Sequence, residues 1–191
     1  MLLFLIGPSA SGKSTQADLL AQKFTLEHLA VGQMFRDQIA KGTELGHAIE
    51  EDYRAGRFVP DHFATSIVAD SLKDTLTNFD GCVIDGYPRT FNQAEQIQPV
   101  IESKHLYYKV IHYLLSKEEC IKRQQYRIEH QGARIDDEKL EERISAYLKD
   151  IEQIASFYRD RNVLFEIEAN QSVEEIFSKT VEVIEADMLP A

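Results

Sequence analysis

Residues Gly7–Ser14 read GPSASGKS and fit the pattern GxxxxGK[ST]. A loop of this kind holds phosphate. Its backbone N–H groups and those of the following helical turn have no partners within the chain and point at anionic oxygens. Lys13 adds a cation that reaches the outer phosphates, and the hydroxyl of Ser14 or Thr15 is a ligand for Mg²⁺. The pattern requires a strand before it and a helix after it. Leu2–Ile6 is an uninterrupted apolar run, and Ser14–Phe24 has helical character. Such a loop implies a nucleoside triphosphate but does not choose among kinase, GTPase and motor. A guanine-reading NKxD segment is missing from the sequence. Arginines at strand ends and helix starts, namely Arg36, Arg89, Arg123, Arg127, Arg134 and Arg143, suit phosphate because a guanidinium stays charged and donates in a planar fork.

Positioning such groups takes a scaffold. Short apolar runs at Leu2–Ile6, His28–Val31, Cys82–Ile84, Val110–Leu115 and Val163–Ile167 read as strands covered on both faces. Apolar residues at helical spacing fall at Phe63–Leu76, Leu140–Tyr158 and Val173–Ile184. Capping-box patterns at Thr90–Gln93, Ser116–Glu119 and Ser172–Glu175 mark helix starts. The alternation predicts an α/β fold, a parallel sheet with helices on both faces, and ligands beyond the carboxyl ends of its strands.

The chain has 191 residues, which suits a single domain, and a net charge of -11. That charge argues against nucleic acid and anionic membranes as partners, since both are polyanions. Any phosphate site must be a local basic patch in an acidic surface. Cys82 and Cys120 are the only cysteines, too few for a disulfide scaffold or a cysteine-built zinc site, so the expected setting is reducing and cytoplasmic, with no zinc. No apolar run reaches the ~18 residues of a membrane helix.

Four segments carry a resemblance over nearly the whole chain: GPSASGKSTQ at Gly7–Gln16; HLAVGQMFR at His28–Arg36 with GRFVPD at Gly56–Asp61; GCVIDGYPRTFNQAE at Gly81–Glu95; and Arg123–Tyr147, from RQQYR through GARIDD to ERISAY. In this order they resemble adenylate kinases and the wider nucleoside-monophosphate kinase family, the most specific piece being DGYPRTFNQ. The resemblance implies a P-loop kinase fold with a five-stranded parallel sheet, a small acceptor-binding arm near residues 31–60 and a short lid near 128–137, all in one domain over 1–191. It implies Mg²⁺-dependent transfer of a phosphoryl group from ATP to a nucleoside monophosphate, chiefly AMP. A pyrimidine-monophosphate kinase and a nucleotide-binding module with weak catalysis remain alternatives.

By the same resemblance, Gly7, Ala10, Ser11, Gly12, Lys13, Ser14 and Thr15 would hold the ATP phosphates, Arg123 and Arg127 would meet ATP from the lid's base, and Gln171 would lie at its adenine. Arg36 and Arg89 would grip the acceptor phosphate. Val31, Arg57, Phe58, Val59, Gly86, Tyr87, Pro88 and Gln93 would line the acceptor site, with Gln93 on the base. Arg134 and Arg143 would bridge donor and acceptor. Lys13, Arg89, Arg123, Arg134 and Arg143 would be catalytic, and Ser14 and Asp85 would serve Mg²⁺ through its waters. The only partners implied are nucleotides, and the expected state is a monomer.

Several places depart from the family's pattern, among them Tyr87 for the usual phenylalanine and a spacing from Arg134 to Arg143 two residues shorter than usual, which bears on the pose of Arg143. Val31 lacks the hydroxyl usual there, which predicts a less selective acceptor site. Gln33 lacks the usual charge. Ala10, if its φ is positive, costs about 1 kcal/mol. Gln93 also has two competing uses, since a capping box with Thr90 and a bond to a base require different rotamers.

Overall fold

The computed structural model describes residues 1–135 and 137–186. Five strands, β1 (Leu2–Ile6), β2 (Glu27–Ala30), β3 (Cys82–Asp85), β4 (Tyr108–Leu114) and β5 (Leu164–Glu168), form one parallel sheet in the order β2-β3-β1-β4-β5. Each expected strand is present, displaced by at most a residue or two. Eight α-helices surround them among the described residues: α1 (Lys13–Phe24), α2 (Val31–Lys41), α3 (Glu44–Arg54), α4 (Asp61–Asn78), α5 (Phe91–Ser103), α6 (Lys117–Gln131), α7 (Leu140–Arg159) and α8 (Val173–Ala186). A 3₁₀ turn at Asp137–Lys139 precedes α7. No helix among the described residues is long and apolar enough to cross a membrane.

The strands are apolar throughout because both faces are covered. Along β1, Leu2, Phe4 and Ile6 enter one core layer with Ile84, Val110, Val68, Ile97 and Ile154, while Leu3 and Leu5 enter the other with Ala17, Leu20, Ile111, Ile176 and Ile184. This is the period-two alternation of a strand. Helices α4, α5 and α7 supply the first layer, and α1 and α8 the second.

Strand order decides where the site falls. From β1 the chain runs outward to β2 and returns to β3, then crosses to β4 and β5 on the other side. The loop after β1 thus lies where the direction of winding reverses, the crevice in which open α/β sheets bind ligands.

The helix starts follow the capping expectation with a refinement. At Ser172 both halves of the box form: its N–H donates to Glu175 at 3.0 Å and its Oγ accepts from the Glu175 N–H at 3.2 Å. At Ser116 and Thr90 only the hydroxyl half forms, accepting from the N–H of Glu119 at 3.3 Å and of Gln93 at 3.1 Å. The expected arm at 31–60 contains α2 and α3, packed so closely that a Cβ at Gly46 would lie 2.1 Å from the Gln38 carbonyl oxygen. Of the lid expected at 128–137, residues 128–131 complete α6, and position 136 lies outside the described residues, as do 187–191 of the expected domain.

Candidate active site

A cavity of about 310 Å³ opens at the carboxyl ends of β1 and β3. Among the described residues, seven cations line it, Lys13, Arg36, Arg89, Arg123, Arg127, Arg134 and Arg143, against two carboxylates, Asp85 and Asp137. In a chain of net charge -11 this is a strong local reversal of sign.

Two helix N-termini add to it. Gly12, with φ 90°, precedes α1, and Ala30 precedes α2; neither start has a side-chain cap or an acid in its first turn. Every other α-helix has one or both, as with Thr43 and Glu44 at α3. The two bare starts border the cavity through Gly12–Thr15 and Gly32–Gln33. Their unpaired N–H groups and positive dipole ends favour an anion.

Lys13 is 9% exposed, and its Nζ folds back over the loop, donating to the carbonyl oxygens of Gly7 at 2.9 Å and Pro8 at 2.7 Å and to Ser11 Oγ at 3.2 Å. Burial lowers its pKa to about 8; Asp85 opposes this, and Arg89 and Arg143 add to it. The Ser14 hydroxyl donates to Asp85 Oδ2 at 2.5 Å. Ala10 has φ 64°, the left-handed conformation that costs a non-glycine residue about 1 kcal/mol.

Toward α2 and α7, the Arg36 guanidinium donates to Gln33 Oε1 at 2.9 Å and to Tyr53 Oη at 2.9 Å, and Arg89 Nε donates to the Gly86 carbonyl at 2.8 Å. A side chain at Gly32 would begin 3.5 Å from Arg36, 3.9 Å from Arg89 and 3.9 Å from the Tyr53 hydroxyl, so these groups converge on one niche. The Arg143 guanidinium lies 5.9 Å from the Tyr53 ring centre. Burial and the neighbouring Arg89 push its pKa down. A guanidinium keeps its proton, so Arg143 and its neighbours stay charged side by side.

On the far wall, Arg123 donates to Glu119 at 3.1 Å and to the Ala169 carbonyl at 2.7 Å. Arg127 pairs with Asp137, which also accepts from the Arg134 N–H at 2.6 Å and from Gln124 at 3.0 Å. Burial pushes the Asp137 carboxyl up, but these donors outweigh it and hold it below the usual carboxylate range.

Beside the cavity is a pocket of about 20 Å³ bounded by Val31, Phe35, Tyr53, Arg57, Phe58, Val59, Tyr87, Arg89 and Gln93. Gln93 is 2% exposed. It does not complete the capping box with Thr90. Its Oε1 accepts from the Arg89 N–H at 2.8 Å, and its Nε2 donates to Asp61 at 2.8 Å, leaving one N–H for another partner. The Tyr87 hydroxyl finds Thr65 at 2.9 Å and the Gln93 carbonyl at 3.1 Å. Arg57 is engaged outward with Asp52 and Glu51.

Among the expected residues, Gly7, Ala10, Gly12, Lys13, Ser14, Thr15, Asp85, Gly86 and the six arginines line the large cavity. Val31, Arg57, Val59, Tyr87 and Gln93 line the small one, and Phe58 borders both. Ser11 holds Lys13 from beneath. Pro88 borders neither space, and nor does Gln171, whose side chain accepts from Lys179 at 2.8 Å. Sequence reading passed over Tyr53, Gln124, Asp137 and Tyr147. Tyr147 follows Arg143 by one helical turn and Gln124 lies between two of the arginines, so spacing carried a signal for both.

A phosphate loop at the switch point of a parallel sheet, opposed by an arginine cluster, defines an ATP-dependent phosphotransferase-type site. The adenylate kinase family model matches residues 5–163. The adenylate kinase of Bartonella tribocorum is 33% identical over 184 residues, covering 92% of this chain and 95% of the relative. That of Parasynechococcus marenigrum is 35% identical over 185 residues, covering 96% and 97%. The adenylate kinase isoenzyme 1 of Gallus gallus is 29% identical over 180 residues, covering 93% and 91%. The chain belongs to the adenylate kinase family.

Proposed function

We propose that the protein catalyses reversible phosphoryl transfer from ATP to AMP, giving two ADP. The observation that carries this is the convergence of seven cations on one cavity in an acidic chain. Two polyphosphates repel each other strongly, and transfer between them requires that they be held in line with their charge opposed. A site for one nucleotide would not need cations on both walls.

The loop N–H groups and Lys13 hold the ATP phosphates, with Arg123 and Arg127 on the lid side. Arg36 and Arg89 take the acceptor phosphate in the niche by Gly32. Arg134 and Arg143 lie between the two and oppose the charge on the phosphoryl group as its bond to ADP breaks and its bond to the AMP oxygen forms. Ser14 and Asp85 offer the hard oxygen donors that suit Mg²⁺, their contact at 2.5 Å bringing hydroxyl and carboxylate together beside the loop. When bound, Mg²⁺ would neutralise phosphate charge. Asp85 and Ser14 would orient its shell.

AMP is favoured as acceptor because Gln93 retains one free N–H at the small pocket, suited to a ring nitrogen. The α2–α3 arm and the short segment after α6 would close over the nucleotides and exclude water. We read the enzyme as cytoplasmic and monomeric, with its basic surface turned inward.

A coupled assay of ATP with AMP, CMP, UMP and GMP tests the reading, with Lys13→Met as the blank. AMP turnover is expected. Normal ATP affinity without turnover of any monophosphate would mean a binding module instead.

A further inference from the structure

Behind the cavity wall, three side chains from three elements form a polar chain that the transfer itself does not use. In the β4–β5 register His112 lies opposite Glu166, so both side chains leave the sheet on the same face. That face meets α7. His112 Nδ1 is 3.2 Å from Glu166 Oε1, and Nε2 is 3.0 Å from the Tyr147 hydroxyl. His112 is 6% exposed and Tyr147 5%. Arg159, near the end of α7, returns to the other Glu166 oxygen at 3.6 Å.

The chemistry fixes the tautomer. A carboxylate only accepts, so Nδ1 carries the proton, and Nε2 accepts from the phenol. Every polar atom in the chain then has a partner, as burial demands. Tyr147 also borders the phosphate cavity. It lies four residues after Arg143 on α7, so the two side chains stack on one face of the helix.

We propose that His112 is a positioning residue: by clamping Tyr147 to the β4–β5 edge, it fixes the turn of α7 that aims Arg143 at the transferring phosphoryl group. The inference rests on the phosphotransfer reading above. Charged or titratable groups reach His112 from each element packed on it: Glu166 from β5, Tyr147 and Arg159 from α7, and Lys13 from α1. Glu168 shares a second cavity with it. Burial keeps the imidazole neutral, with Glu166 opposing and Lys13 and Arg159 reinforcing. Protonation would reverse the contact: Nε2–H would donate to the Tyr147 oxygen, and the phenol proton would turn toward another acceptor.

The test is steady-state kinetics on the full chain with ATP and AMP. His112→Phe is expected to lower kcat about tenfold and to change either KM less than about threefold, since a misaimed group costs transition-state contact more than ground-state binding. His112→Gln, whose amide oxygen can accept from Tyr147, is expected to keep most of kcat. Against an Arg143→Met background, His112→Phe is expected to cause no further loss, because both act through one guanidinium. Losses that multiply in the double variant overturn the proposal, as does an unchanged kcat in His112→Phe. If His112→Phe does not fold, Tyr147→Phe replaces it in the same cycle, with the same two outcomes. A wild-type enzyme inert with every monophosphate removes the underlying reading and this inference with it. An active wild type with an additive double variant removes the inference alone.

Discussion

The cavity around Lys13 encloses about 310 Å³ between seven cations, whereas the pocket beside it, between Val31, Phe35, Val59 and Tyr87, encloses about 20 Å³. The second volume is near the ~10–15 Å³ minimum for one water, far below what a base requires. Without ligand, like charges repel and keep hydration, so the phosphate half stays open; apolar walls gain by touching, so the base half closes. On the proposed reading, the phosphate site is preformed and the base site would open by movement of α2–α3 or of its lining side chains.

The largest effect expected is on the phosphate half. Lys13→Met removes the ammonium and keeps the bulk, and kcat/KM should drop on the order of 10²–10³ with the fold intact by circular dichroism. A smaller loss would mean that the arginines alone organise the phosphates. Raising the pH discharges the same group. With Lys13 lowered to about 8, kcat/KM for ATP should fall roughly tenfold per pH unit above that value. The sign for stability is opposite. Burying the charged ammonium is a cost fully present below pH 8, and the ligand-free fold should gain stability as pH rises from about 8 toward the ordinary lysine value of 10.5. Thermal melts across that range check it.

On the base half, a collapsed pocket lacking a hydroxyl at Val31 should discriminate weakly. We expect AMP to be preferred over other monophosphates by less than about 10³-fold in kcat/KM, and Val31→Thr to sharpen the preference by roughly tenfold. A preference already above 10³ would show that the pocket reopens into a well-matched site. The smallest effect concerns backbone strain. Ala10→Gly should stabilise by about 0.5 kcal/mol, the relief of an αL alanine being partly offset by glycine's unfolded-state entropy. Denaturant midpoints would register it.

The fold was legible because its elements carry local signals. Both-face burial makes β1 apolar at every position, and Ser172 and Glu175 announce α8 through two reciprocal hydrogen bonds. The phosphate loop was legible because its chemistry is contiguous. The partners of Gln93 were not: the capping box foreseen for it is local, whereas Asp61, 32 residues away, and the Arg89 N–H hold its side chain. Tyr53 escaped notice for the same reason, since a tyrosine on an amphipathic helix looks like packing until Arg36 is seen to donate to it from another helix.

Residue order alone thus specified the strand-and-helix alternation, the phosphate loop and an arginine set, because those depend on neighbours within a turn or two. Only the tertiary structure decided that six arginines from α2, α6, α7 and two connecting segments face the same cavity as Lys13, that Gln93 is held by Asp61, and that His112 reaches Tyr147. Those outcomes depend on sheet order and register, which bring distant residues within a hydrogen bond's length and are not encoded in any one stretch of chain.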